Sequence, residues 1–322
     1  MRRRLPAIIS FVALLATTAC GSSTTGGSGA GASTTAGAAS VGDGAGLPAV
    51  SGDAGKKPTI AKPAGKPVTK LQVKVVTPGA GAALANGDSI VVNYLGMTWG
   101  GKEFDNSFDR GTPFSVELGG GQVIPGWDQG LIGQKVGSRL LLGIPPELAY
   151  GAQGAGADIG PNETLLFVID VVASFAVGAK ATGTAVPLDD PALPKVTGDG
   201  ADLAVVVPTT AAPTQLVVKT LVQGAGPAVV AGQNITVQYL GVLWDGGKTF
   251  DSSWSRGGKP VSFAIGAGKV IPGWDEGIVG VKTGSRVLLV LPSDKAYGDA
   301  GQPPTIPAKA TLVFVVDILG AI

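Results

Sequence analysis

The strongest constraint on how this 322-residue chain can fold is that it contains one unit twice. Val123-Ile124-Pro125-Gly126-Trp127-Asp128 returns 147 residues later as Val270-Ile271-Pro272-Gly273-Trp274-Asp275. Tyr150-Gly151 returns as Tyr297-Gly298 at the same offset, Phe104-Asp105 as Phe250-Asp251 at 146, and Tyr94-Leu95-Gly96 as Tyr239-Leu240-Gly241 at 145. The drift requires two single-residue insertions in the second copy, near Trp244-Asp245 and Gly257-Gly258. Both places read as polar or glycine-rich turns, where insertions are tolerated. Repetition on this scale implies two domains of one design.

The repeat extends upstream of each domain. Leu47-Pro48-Ala49-Val50-Ser51-Gly52-Asp53 resembles Leu193-Pro194-Lys195-Val196-Thr197-Gly198-Asp199. The units are therefore set at 47–176 and 193–322, each an N-terminal arm (47–70, 193–215) followed by a core (71–176, 216–322). Residues 177–192 are the linker between them. Either the arms pack on their domains as extra strands or they are remnants of the duplication. Protection of residues 47–67 from proteases would distinguish the two.

Within each core, short β-branched or alternating segments are bounded by Gly, Pro or Asn, as strands are. The first core has them at 71–76, 89–98, 114–118, 138–144 and 164–175. The second repeats them at 216–221, 234–243, 261–265, 285–291 and 311–319. Trp127, Leu131 and Ile132 share helical spacing after Pro125, as Trp274, Ile278 and Val279 do after Pro272, and proline is tolerated in a first helical turn. The fold class expected is α+β, each domain a twisted antiparallel sheet with one short helix against it.

Composition narrows the chemistry. The chain has no histidine and a single cysteine, Cys20. A Cys/His zinc site, Ser-His-Asp or Cys-His catalysis and an internal disulfide are thereby excluded. A net charge of +1 without a long basic run gives no footprint for nucleic acid. Met1-Arg2-Arg3-Arg4, an apolar run over 5–16 and Thr17-Thr18-Ala19-Cys20 read as a secretory signal over 1–19, its apolar core too short for a membrane span of about 20 residues. The sequence before Cys20 resembles a bacterial lipoprotein signal, with Thr17 where leucine is usual. That resemblance implies export and lipid anchoring through Cys20 at the outer face of the cell membrane. Residues 20–46, nearly all Gly, Ser, Thr and Ala, read as a flexible tether.

Tyr94-Leu95-Gly96, Gly101-Lys102-Glu103-Phe104-Asp105-Asn106-Ser107, Arg110, Phe114, Val123-Ile124-Pro125-Gly126-Trp127, Ala149-Tyr150-Gly151 and Thr164-Leu165-Leu166-Phe167 stand in this order in the first copy. The set resembles the FK506-binding family of peptidyl-prolyl cis-trans isomerases. The resemblance implies a sheet wrapped around a helix and a shallow apolar pocket. Tyr94, Phe104, Asp105, Tyr150 and Phe167 would be its catalytic residues. Arg110, Phe114, Val123, Ile124, Trp127 and Ile159 would bind substrate, with the Trp127 ring as the floor. In the second copy Tyr239, Phe250, Asp251, Tyr297 and Phe314 match the first group, and Arg256, Val270, Ile271, Trp274 and Ile306 the second. Substrates would be prolyl-containing unfolded or exported polypeptides, with macrolides of the FK506 or rapamycin type as further ligands and no cofactor.

The reaction suits a chain without histidine and with one cysteine, because it needs neither a nucleophile nor a metal. Rotation about an X-Pro bond breaks no bond, and at its twisted midpoint the amide loses resonance and polarity. A water-poor pocket favours that state over the planar amide. The hydroxyls of Tyr150 and Tyr297 and the N–H groups of Ile124 and Ile271 are the expected substrate donors. Asp105 is expected to pair with Arg110 and accept from Tyr94, either as a structural ion pair or in contact with substrate. The copies differ at two places. Asp158 adds a carboxylate at the first rim where the second has Thr305. Val261 stands where the first has Phe114, and Phe263, facing as Val116 does, is expected to be a poor substitute for the lost aromatic wall. The alternative function is a binding module that holds proline-rich or unfolded segments without turnover.

Overall fold

A computed structural model describes residues 42–322. The signal segment, most of the expected tether and Cys20 lie outside the described residues. Among those described, no helix is long and apolar enough to cross a membrane.

Each core is an antiparallel sheet with one two-turn helix against its inner face. In the first, strands run in the order Gln72–Thr77, Arg139–Ile144, Leu165–Phe175, Ser89–Thr98, Glu103–Asn106, with Phe114–Glu117 also pairing to Ser89–Thr98. In the second the order is Val217–Gly224, Arg286–Leu291, Leu312–Ala321, Asn234–Leu243, Thr249–Ser252, with Val261–Ala264 on Asn234–Leu243. The short strands Glu103–Asn106 and Thr249–Ser252 carry too little apolar pattern to be read from sequence. They place Asp105 and Asp251 opposite Gly96 and Gly241.

The central strands are buried on both faces, which explains their nearly continuous apolar sequence. Ile90, Val92, Tyr94, Leu140, Leu142 and Ile169 pack inward on Trp127 and Leu131. Leu95, Met97, Trp99, Leu141, Leu166 and Val168 face outward, and the arm covers them with Leu47, Val50, Ile60 and Val68. The arm does not lengthen the main sheet. It forms its own hairpin across the outer face, Val50–Ser51 pairing Thr59–Ile60. The second arm does the same with Lys195–Thr197 and Ala204–Val206, laying Val196, Leu203 and Val205 over Leu240, Val242, Val313 and Val315.

A buried ion pair clasps each arm. The Arg139 side chain, 0% exposed, is bidentate to Asp170 through Nε (2.6 Å) and Nη2 (2.7 Å). Its remaining N–H groups donate to the carbonyls of Gly52 (2.6 Å) and Lys56 (2.7 Å) in the arm. The Gly55 N–H donates back to Asp170 at 2.8 Å. In the second unit Arg286 pairs with Asp317 and reaches Asp199 of its arm at 2.7 Å.

Three expectations need correcting. Leu131 is fully buried but Ile132 is 44% exposed, because the helix Pro125–Leu131 stops one residue short of it. Val279 is exposed for the same reason after Pro272–Ile278. The stretch read as tether already takes part in the fold at its C-terminal end. The Gly42 N–H donates to Leu71 O at 2.9 Å and its carbonyl accepts from Val73 at 3.1 Å. Residues 177–192 are more than a linker: Gly183–Ala185 pairs with Val217–Gly224 and supplies the outermost strand of the second sheet.

Candidate functional site

In each core the central strand, the helix and two loops converge on one apolar cage. Gly96 makes the first approach possible. A Cβ there would lie 2.6 Å from the Phe104 ring and 2.9 Å from Phe167, so only glycine lets both rings stack on the strand. Gly241 does the same beneath Phe250 and Phe314. Ile124 precedes the helix, Pro125 occupies its first turn, and Trp127 N–H closes back on Ile124 O at 2.9 Å. This turn lays the indole on the cage floor, 4% exposed. Tyr94 (5.4 Å), Phe167 (5.3 Å) and Phe114 (6.2 Å) meet it edge to face, and Phe104 meets Phe167 at 5.6 Å. Such perpendicular aromatic pairs are favoured by the ring quadrupoles.

Val123, Ile124 and Ile159 join this cluster, as Val270, Ile271 and Ile306 join the second. Trp274 is enclosed by Tyr239 (5.6 Å), Phe263 (5.6 Å) and Phe314 (5.3 Å), with Phe250 on Phe314 at 5.4 Å. The second cage opens as a cavity of about 560 Å³ lined by Tyr239, Phe250, Asp251, Phe263, Val270, Ile271, Trp274, Tyr297 and Phe314, among others.

Phe263 corrects the sequence reading. It packs on both Trp274 and Tyr239 and supplies the aromatic wall that Val261 lacks. Phe114 and Val116 sit two residues apart on one strand and therefore share a face. The second copy moves the large side chain one step along that same face, so the wall is shifted and retained.

The polar edge of each cage is one triad. Tyr94 Oη donates to Asp105 Oδ2, Arg110 Nη1 pairs with Asp105 Oδ1, and Arg110 Nη2 donates to Tyr94 Oη at 2.8 Å. The guanidinium carbon also lies 5.4 Å from the Tyr94 ring centroid. Tyr239, Asp251 and Arg256 repeat every contact. Burial, reinforced by the neighbouring carboxylate, pushes the Tyr94 and Tyr239 phenols up to about 12. Asp105 thus holds two side chains of the pocket wall.

Tyr150 and Tyr297 stand at the mouths, 38% and 37% exposed. Partial burial and the charge of Asp105 or Asp251 shift both phenols upward. Neither hydroxyl bonds to a protein group among the described residues, and the N–H groups of Ile124 and Ile271 likewise donate to no protein acceptor there. Each cage therefore presents an unused hydroxyl and an unused amide across an apolar floor. Asp158 sits beside Ile159 at the first rim, where Lys102 holds it in a surface ion pair of 2.8 Å.

One positioning pair escaped the sequence reading. Asp128, inside the repeated motif, accepts from the N–H groups of Gly119 (2.8 Å) and Gly121 (3.2 Å). Asp275 accepts from Gly266 (2.6 Å) and Gly268 (2.8 Å). Each carboxylate pins the loop that delivers Val123-Ile124 or Val270-Ile271 to its cage. Its return beside the tryptophan in both copies was the available signal.

Comparison with known proteins agrees with this geometry. The sequence profile of the FKBP-type peptidyl-prolyl cis-trans isomerase family matches residues 81–172 and 226–319. Mouse peptidyl-prolyl cis-trans isomerase FKBP10 is 33% identical over 234 residues, covering 73% of this chain and 34% of the mouse protein. The chain thus spans about a third of the length of that relative. An FK506-binding protein of Streptomyces anulatus is 50% identical over 109 residues, 33% of this chain and 88% of its own. Among solved structures, FkpA from Escherichia coli is 47% identical over 34% of this chain and 50% of that one, with a TM-score of 0.31. With two profile matches that together span more than half its length, each on a complete aromatic cage, the chain belongs to the FKBP-type peptidyl-prolyl cis-trans isomerase family.

Proposed function

We propose that both domains isomerise X-Pro bonds, each by holding a twisted amide over its tryptophan. One observation supports this reading: the same apolar cage is built twice, each with an unbonded tyrosine hydroxyl and an unbonded isoleucine amide at its edge. The proline ring rests on Trp127 or Trp274. The Ile124 or Ile271 N–H holds the peptide carbonyl, and the Tyr150 or Tyr297 hydroxyl donates to the next backbone acceptor. The uncatalysed barrier of about 18–20 kcal/mol reflects lost amide resonance. A wall of Tyr94, Phe104, Phe114 and Phe167 solvates the planar, polar ground state poorly and the less polar twisted state well. Asp105 and Arg110 act through Tyr94, keeping that wall in place.

The test is a prolyl-peptide isomerisation assay on the full chain carrying Trp127→Ala, Trp274→Ala or both. Each single variant should retain one active site, and the double variant should fall to the uncatalysed rate. Full turnover in a folded double variant refutes the assignment. Turnover absent from the wild type with peptide binding retained would identify a holding module.

The proposed clients are exported or envelope proteins, and macrolides of the FK506 or rapamycin type would compete with them for the cages. Lipidation of Cys20 after signal cleavage would anchor the chain at the membrane's outer face. Two or more acyl chains are needed for stable anchoring. The lipid is absent if mature protein from its native host partitions into the aqueous phase of a detergent extraction.

A further inference from the structure

The two cages are alike in their apolar parts, whereas their mouths differ in charge. In the first, Lys102 and Asp158 neutralise each other at 2.8 Å, and Glu163 follows on the same loop. The position before Val123 is the uncharged Gln122. In the second, Thr305 replaces Asp158 and Ala310 replaces Glu163. Lys248, the counterpart of Lys102, is left without its acid. Lys269 replaces Gln122 and lines the cavity directly, on the loop that Asp275 pins through Gly268. Lys309 replaces Asn162 at the closure of the mouth loop, its N–H bonded to Gly298 O at 3.2 Å as Asn162 is to Gly151 O at 2.8 Å. Lys248, Lys269 and Lys309 reach no carboxylate within ion-pair distance among the described residues. Asp299 on the mouth loop and Asp245 on the turn that carries Lys248 oppose them, while Asp251 at the cage edge is already paired with Arg256.

We infer that the two sites divide prolyl substrates by charge, the second taking prolines flanked by Asp or Glu and the first taking those flanked by Lys, Arg or neutral residues. The inference rests on the isomerase reading above and names the substrate class of each site. Charges at a solvent-exposed mouth act through high dielectric and are screened by salt. Each lysine is then worth about a threefold change in kcat/KM toward an acidic peptide at low ionic strength. Lys269 is the chief determinant, since it alone of the three lines the cavity.

The test uses the full chain with one site silenced, Trp127→Ala to read the second and Trp274→Ala to read the first. Substrates are Ala-Xaa-Pro-Phe anilides with Xaa as Glu, Lys or Leu, followed by isomer-specific cleavage. At low salt the second site should favour Glu over Lys by about fivefold to tenfold in kcat/KM, as follows from one net positive charge that favours Glu and disfavours Lys by about threefold each. The first should show no preference or the reverse. Lys269→Glu should invert the second site's preference, and high salt should erase it. Equal Glu-to-Lys ratios at the two sites, or a ratio unmoved by Lys269→Glu, would overturn the inference while leaving Leu-Pro turnover, and with it the isomerase reading, intact. Absence of Leu-Pro turnover would overturn both. Should a tryptophan truncation impair folding, Lys269→Glu and Asp158→Thr in the otherwise wild-type chain test the same division of substrates. The first must lower the summed Glu-to-Lys ratio and the second must raise it.

Discussion

All four tyrosines of the chain, Tyr94, Tyr150, Tyr239 and Tyr297, stand in the two cages, so an alkaline titration of phenolate absorbance reports on those sites alone. Tyr94 and Tyr239 are pushed from the ordinary 10.0 up to about 12, first by burial and then by hydrogen bonding to Asp105 and Asp251. Two pH units correspond to about 2.7 kcal/mol per tyrosine at about 1.36 kcal/mol per unit. The sign follows from proton linkage. Below pH 10 the folded and unfolded chains both keep the phenol proton, and the contribution is fully present. Between pH 10 and 12 the unfolded chain releases protons that the folded chain retains, and stability falls by roughly 5 kcal/mol for the pair. Absorbance should rise in two steps, the half-exposed Tyr150 and Tyr297 first and the buried pair later. Guanidinium unfolding at pH 9 and pH 11 should show the stability loss directly. Asp105→Asn should lower the later midpoint of Tyr94 without returning it to 10.0, because burial is the larger cause. Four tyrosines ionising as one class near pH 10, or an Asp105→Asn chain with an unchanged curve, would refute the triad geometry.

Other perturbations test the rest of the architecture. Asp170→Ala leaves the Arg139 guanidinium buried without its carboxylate and should cost about 3–5 kcal/mol by chemical denaturation. The same substitution should free the first arm, so cleavage between Gly52 and Lys57 should rise while wild-type protein resists it. Phe263→Val strips the second wall and should lower second-site kcat/KM about tenfold in a Trp127→Ala background, the loss of aromatic contacts worth about 0.5–1.5 kcal/mol each. Adding Val261→Phe to it should recover much of the loss, since the ring returns to the same face. Gly96→Ala should abolish first-site turnover, because its Cβ would displace Phe104 and Phe167.

Much of the site was legible because its residues are tied to short motifs whose order survives duplication. Strands 89–98 and 234–243 were readable to the residue, since burial on both faces leaves them nearly free of polar interruption. What stayed hidden depends on contacts between distant segments. Arg139 and Asp170 meet across neighbouring strands. Each reads alone as a stray charge in an apolar run, although the return of both as Arg286 and Asp317 marks them as a pair. Gly183–Ala185 has no apolar pattern, since a strand at the sheet edge is held by backbone hydrogen bonds alone. Ile132 was misplaced because the helix ends at Leu131, one residue before it, and the chain turns out of the helical conformation there. Phe263 was misjudged although the strand's alternation already put it on the right face.

The strand Gly183–Ala185 decides where the second folding unit begins. The unit that repeats in sequence begins at the arm, near Leu193, whereas the unit that folds already includes residues upstream of it. Thr182 N–H bonds Gly284 O at 2.9 Å, Ala181 N–H reaches the buried Asp317 at 3.1 Å, and Val186 N–H bonds Leu221 O at 2.8 Å. Genetic module and structural module are therefore out of register, the fold reaching back past the start of the repeat. A second domain excised at the sequence boundary would bare the backbone of Val217–Gly224 as an open sheet edge, a template for pairing with another molecule. The sequence repeats in two halves, but the sheet of the second half is completed by a strand from the segment that joins it to the first.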